Sequence, residues 1–191
     1  KWNTRNIEHF EYLFCGCQEL TNLKCVSGWN LPNALDLECV FGECLNLLEI
    51  DISLWNPKKA DNLNLLFFNC KSLTTPPKID NWKIENIVKC NFLFKGCENL
   101  TKLPDISNWN TEKLEDISFM FHNCCNITEI PDISKWKTGN IKNMKGLFGF
   151  CSKLAKLPDI SKWDMENVED ISYMFESCEN LAEFPKNVNW N

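Results

Sequence analysis

The stretch Pro158-Asp-Ile-Ser-Lys-Trp163, continued by Glu166-Asn-Val-Glu-Asp-Ile-Ser-Tyr-Met-Phe175 and Ser177-Cys178-Glu-Asn-Leu181, decides how the whole chain is read. Its landmarks return upstream at a fixed distance. Tryptophan occurs at Trp2, Trp29, Trp55, Trp82, Trp109, Trp136, Trp163 and Trp190, every 27 residues except for the 26 between Trp29 and Trp55. A period in this range marks an array of supersecondary units, each too small to bury its own apolar face. The reading is therefore one solenoid domain over residues 1–191, in seven coils that start at Trp2, Trp29, Trp55, Trp82, Trp109, Trp136 and Trp163.

Counting each tryptophan as position 0, position +12 is Phe in every repeat: Phe14, Phe41, Phe67, Phe94, Phe121, Phe148 and Phe175. Position +15 is always Cys: Cys17, Cys44, Cys70, Cys97, Cys124, Cys151 and Cys178. Position +18 is Leu or Ile throughout, and +5, +8 and +11 are mostly apolar. Positions +8, +11, +12 and +15 have the i, i+3, i+4, i+7 spacing of a helix face. This spacing predicts a short helix from about +5 to +15. Asparagine at +4 (Asn6, Asn33, Asn86, Asn140, Asn167) is the expected N-cap.

Beyond the cysteine, L-x-x-L-P-D-I at 100–106 and 154–160 predicts a strand of three or four residues near +18 to +21, stopped by the proline. The expected fold class is thus α/β: one short parallel strand and one short helix per coil, stacked at roughly 4.8 Å per strand. The tryptophans are read as core or corner residues rather than as a ligand grip.

Composition narrows the function. The net charge of −6, with Lys and Glu mixed along each repeat, argues against nucleic acid, which needs a basic stripe. No apolar run approaches the roughly 18 residues of a membrane span. The chain starts inside a repeat, without a charged-then-apolar leader. Its two ends are expected to be covered by further chain, a partner or another copy, because solenoids require capped ends.

The motifs of hydrolases, phosphate-binding loops and zinc proteases are absent, and only two histidines occur. No catalytic residue, cofactor or metal site is assigned. One cysteine per repeat at one position reads as a buried free-thiol ladder, since Cys behaves as a small hydrophobe. Cys15, Cys25, Cys39 and Cys125 lie off that ladder and are the candidates for exposure or pairing. Asp105, Asp132 and Asp159 at +23 are expected to accept hydrogen bonds from their own turns. Position +10 (Tyr12, Cys39, Leu65, Phe92, Phe119, Gly146, Tyr173) reads as an apolar row beside the helix stripe, packed between adjacent helices or, as the alternative, partly exposed. The candidate partner-binding surface is the outward face of the strand at +19 and +20: Thr74, Thr75, Thr101, Lys102, Thr128, Glu129, Lys156 and Glu183.

On the residues quoted at the outset, the chain resembles the BspA-like leucine-rich-repeat family, the module also described as the DUF285 or mycoplasma-lipoprotein type repeat. The likeness spans the chain. It is looser in the first three repeats, where Ile50-Asp51-Ile52-Ser53 lacks the proline and Lys24 stands in its place. The resemblance implies a right-handed leucine-rich-repeat-like solenoid and a non-enzymatic role in adhesion or protein interaction, often at a cell surface. The thiol ladder points instead toward a reducing, intracellular compartment and a scaffold role.

Overall fold

Hydrogen bonds between consecutive repeats define the architecture of the computed structural model, which describes residues 2–184. At position +7 a row of parallel bridges passes from His9 to Asp36, Asn62, Lys89, Asp116, Asn143 and Asp170. After it, the N–H groups at +8, +10, +12 and +14 each donate to a carbonyl of the next coil. In the middle of the chain these are Cys90 to Asp116 (3.0 Å), Phe92 to Ser118 (2.9 Å), Phe94 to Met120 (2.8 Å) and Gly96 to His122 (2.8 Å). The same set recurs from coil to coil, so the chain is a repeat solenoid.

The predicted helix does not form. Among the described residues the one helical segment is a 3₁₀ turn at Lys24–Val26. Residues +8 to +18 instead run as successive β-turns closed by i→i+3 bonds, such as Met120 N–H to the Ile117 carbonyl (3.2 Å) and Cys124 N–H to the Phe121 carbonyl (3.2 Å). Position +10 has φ between 54° and 60° in every repeat, and +14 is also left-handed throughout, from Gly16 to Ser177. Eleven of these left-handed residues carry side chains, Phe92, Phe119 and Phe150 among them, at a cost of about 1–2 kcal/mol each.

Spacing is the physical reason for this arrangement. Packed helices need roughly 8–10 Å between axes, whereas the +12 phenyl rings of adjacent coils stack with centroids 5.4–6.3 Å apart. A helix would also spend its N–H groups internally. The turn ribbon sends every second one across to the neighbour, and those bonds offset the left-handed strain. The 3.6-type spacing was real as a pattern of buried positions, but it arises from turns.

The strand expected at +18 to +21 is reduced to isolated bridges at +20, Asn22 to Glu49 and Glu129 to Lys156. The continuous bridge row lies at +7 instead, where nothing like Pro76, Pro77, Pro104, Pro131 or Pro158 interrupts it. The asparagines read as N-caps are staples between coils. Asn33, Asn86, Asn140 and Asn167 donate through Nδ2 to carbonyls of the preceding coil at 2.6–3.0 Å.

The core consists of columns. Phe41 through Phe148 are fully buried, and Trp29 through Trp163 nearly so. Trp2 is exposed, and the tryptophans from Trp55 to Trp163 are corner residues with a second role. The Ile106 carbonyl accepts both the Trp109 N–H (3.2 Å) and the Trp136 indole Nε1–H (3.2 Å) of the following coil. Trp55, Trp82, Trp109 and Trp163 repeat this bond. Trp190 lies outside the described residues.

The cysteine column is also more than packing. Each thiol from Cys44 to Cys178 donates to the carbonyl of the +12 phenylalanine one coil back, at 3.1–3.2 Å. All twelve cysteines are free. The end members depart from the core assignment: Cys17 is exposed and Phe14, Phe175 and Cys178 are half-buried.

Candidate functional site

With the interior filled by columns, only the positions facing outward are left to meet a partner. The eight residues singled out at +19 and +20 are Thr74, Thr75, Thr101, Lys102, Thr128, Glu129, Lys156 and Glu183. All are exposed. Glu129 and Lys156 are joined by a backbone bridge, and the Thr128 carbonyl accepts the Ala155 N–H at 3.1 Å. Thr75 borders a groove of about 420 Å³ with Asn22, Glu49, Asp51 and Lys78. The surface is polar and shallow.

The aspartates at +23 stay within their own turns. Asp105, Asp132 and Asp159 accept from the N–H of Ser107, Ser134 and Ser161 at 2.9–3.0 Å. Those serine hydrogen bonds hold the carboxyls below their usual range. Among the described residues no group of three or more His, Cys, Asp or Glu side chains is arranged to hold a metal ion.

The turn ribbon carries a second surface, which the helix expectation concealed. A left-handed residue at the third position of a turn projects away from the core, and the +10 row is exposed at Tyr12 and Tyr173, half-buried at Leu65, Phe92 and Phe119, and buried at Cys39 and Gly146. Phe92 and Phe119 stack there with centroids 5.1 Å apart and planes 10° from parallel. The Lys95 ammonium lies over both rings, 5.1 and 4.9 Å from their centroids. Phe68 meets Phe92 edge-on at 6.5 Å.

The stripe continues through His122, 5.2 Å from Phe119 and 5.1 Å from the exposed Phe150. One coil further on, the Lys145 ammonium sits over the exposed Tyr173 ring at 5.4 Å. Gly146 occupies the +10 position between Phe119 and Tyr173 because a Cβ there would come within 2.5 Å of the Phe119 ring. Individual members were visible in the sequence, since +10 was noted as an apolar row. Phe68, Lys95, His122 and Phe150 were missed because they sit at +13 and +14, which a helix would have placed elsewhere.

His122 is the titratable member. Its Nδ1 is sealed from solvent without a hydrogen-bond partner among the described residues. Burial first, then the Lys95 charge, push its pKa down to about 4 from the ordinary 6.5. The unfolded chain therefore binds the extra proton between about pH 6.5 and pH 4 while the folded chain does not. Stability from this site is full above pH 6.5 and falls as pH drops through that window. Replacing the imidazole by the ring that Phe68 places at the same position, His122→Phe, should flatten this fall. Urea midpoints of both proteins at pH 7 and pH 5 measure it, and equal acid losses in the two would refute the assignment.

A solenoid with a columnar interior and outward aromatic and polar rows belongs to the class of repeat proteins whose chemistry resides on the surface. The chain belongs to the family described as "Mycoplasma protein of unknown function, DUF285", which matches residues 1–103 and 90–191. No curated protein sequence matches the chain.

Two solved structures are similar. A leucine-rich repeat protein from Bacteroides ovatus aligns with 93% of this chain and 41% of its own, at 18% identity and a TM-score of 0.39. The T. pallidum leucine-rich repeat protein aligns with 93% of this chain and 72% of its own, at 16% identity and a TM-score of 0.37. The chain thus spans less than half the length of the first. No helix among the described residues is long and apolar enough to cross a membrane.

Proposed function

We propose that the chain is a non-enzymatic protein-interaction module whose turn face binds a protein segment carrying apolar side chains and carboxylates. One observation carries this reading: the run Phe68, Phe92, Phe119, Phe150 and Tyr173, with Lys95 and Lys145 seated on its rings. A contiguous apolar patch rimmed by charge marks an interaction site. Rigid aromatics supply hot-spot area at low entropic cost, and the lysines select for acid in the partner. The exposed row at +19 and +20 is a second, polar contact surface in this proposal.

The reading takes residues 1–191 as one domain of seven right-handed coils. The role we propose is adhesion at a cell surface, a reading the family resemblance supports. A scaffold role inside the cell is the alternative. It is favoured by twelve free thiols, seven of which donate, to carbonyls, hydrogen bonds that a disulfide would remove. The alkylation state of the thiols in protein taken from its source separates the two compartments. Covering of the end coils by further chain, a partner or a second copy is part of the same proposal. It is supported by apolar hollows of about 630 Å³ beside Trp2, Phe14 and Trp29 and about 440 Å³ beside Phe175 and Phe184.

Selection of a random peptide library on immobilised protein tests the turn face. The enriched peptides should combine apolar and acidic residues. Phe119→Ala should weaken them about 30-fold, a hot-spot loss of about 2 kcal/mol, and Lys95→Glu should weaken acidic peptides selectively. Peptides that bind Phe119→Ala and Lys95→Glu as well as the parent protein would remove the turn face from the proposal. Loss of binding in Thr101→Glu/Thr128→Glu instead would move recognition to the +19/+20 row.

A further inference from the structure

Position +13 of one coil meets position +10 of the next throughout the turn ribbon. The pair is Phe68 with Phe92, ring centroids 6.5 Å apart. One coil on it is Lys95 over Phe119, at 4.9 Å. Next it is His122 beside Gly146, where a Cβ would lie 3.4 Å from the imidazole Cδ2. In the first two coils the same register position brings together Cys15 and Cys39, with Sγ atoms 3.0 Å apart. The fold itself thus creates the contact, and it is the one Sγ–Sγ contact within hydrogen-bond distance among the described residues.

We infer that Cys15 and Cys39 are a redox modification site, closing into a reversible disulfide that fastens the first coil to the second when a low-molecular-weight disulfide is present. A disulfide needs its sulfurs to close to about 2.05 Å and its Cα atoms to lie roughly 4.4–6.8 Å apart. The Sγ atoms, 3.0 Å apart, need to close by about 1 Å, and the Tyr12 N–H to Glu38, Phe14 N–H to Val40 and Gly16 N–H to Gly42 bonds hold the first coil against the second around them.

The exposed Cys17 and Cys25 make no sulfur–sulfur contact within hydrogen-bond distance among the described residues, and most other thiols are occupied or buried. The ladder thiols from Cys44 to Cys178 donate to phenylalanine carbonyls, Cys90 is buried, and Cys125 donates to the Glu98 carbonyl.

The two sulfurs divide the chemistry. Cys15 is partly exposed and Cys39 buried. Burial, then the bond to Cys15, push the Cys39 thiol up to about 12, so it stays protonated and does not attack first. The Cys15 thiolate attacks one sulfur of the small disulfide, whose other half leaves as a thiolate. Cys39 sulfur then attacks Cys15 Sγ in the mixed disulfide and passes its proton to the second leaving thiolate. Two protein thiols lose two electrons and two protons, and one small disulfide becomes two thiols. A small thiol in excess reverses both steps.

Oxidised glutathione on the full chain, followed by alkylation and peptide mapping, is the test. The expected result is a Cys15–Cys39 linked peptide pair that reductant releases, with the ladder thiols still free. Cys39→Ser should accumulate a glutathione adduct on Cys15, since the resolving sulfur is gone. Cys15→Ser should leave Cys39 unmodified. The parent protein needs no substitution for the mapping, so a folding defect in either variant does not obscure the outcome. Alkylation of both cysteines after oxidation, or a bond from Cys15 to Cys17 or Cys25, would overturn the inference.

Discussion

Phe94→Ala should cost about 3–5 kcal/mol of stability, the range for removing a buried phenyl ring. The ring is fully buried, stacked 5.4 Å from Phe67 and 6.3 Å from Phe121, in the middle of the column. Its loss leaves a void that neighbours cannot fill without shortening a stack whose spacing is set by backbone bonds on both sides. A second consequence follows from one-dimensional coupling. A repeat array is stabilised by nearest-neighbour interfaces, so a weak central interface should separate the unfolding of the two halves. Urea denaturation followed by fluorescence should show a lower first midpoint and a broader or split transition. A single transition displaced by less than about 1 kcal/mol would mean that the column does not carry the core.

Trp136→Ala should be of similar size, about 3–5 kcal/mol, and its decomposition is informative. The indole is nearly buried, and its Nε1–H reaches the Ile106 carbonyl, which already accepts the Trp109 N–H. Trp136→Phe keeps most of the ring and deletes the donor. That variant should lose a smaller amount, of which the hydrogen bond is about 1 kcal/mol, because the carbonyl retains its other partner. Chemical denaturation of the two variants beside the parent separates apolar burial from the corner bond. If Trp136→Phe were as damaging as Trp136→Ala, the indole would be held by its shape and the apolar share would be misassigned.

The columns were legible because a solenoid repeats its core contacts. Phe at +12, Cys at +15 and Trp at 0 recur at one interval because they line the interior, where all but the end members are buried. The turn residues of Asp105, Asp132 and Asp159 were legible for a local reason: an Asx side chain accepts from the N–H two residues on, whatever surrounds it. The helix was not. Cys90, Leu93, Phe94 and Cys97 have helical spacing, yet Phe92 and Gly96 between them are left-handed. Periodicity reports which positions face inward, and a ribbon of turns delivers that same order. Lys95 and His122 looked like solvated helix positions for the same reason, and the aromatic stripe they join went unread.

The sequence by itself determined the period, the buried columns, the continuity of the array and the family. These depend on residue identity recurring at fixed intervals. The tertiary structure alone decided the backbone between those landmarks. Coils stacked at the width of a phenyl ring leave no room for helices, so half of the N–H groups in the ribbon cross to the next coil and every fourth residue turns left-handed. That choice also carries Phe119 and Lys95 to one surface and brings Cys15 against Cys39. Each of these meetings is made across coils, between residues about a full repeat apart.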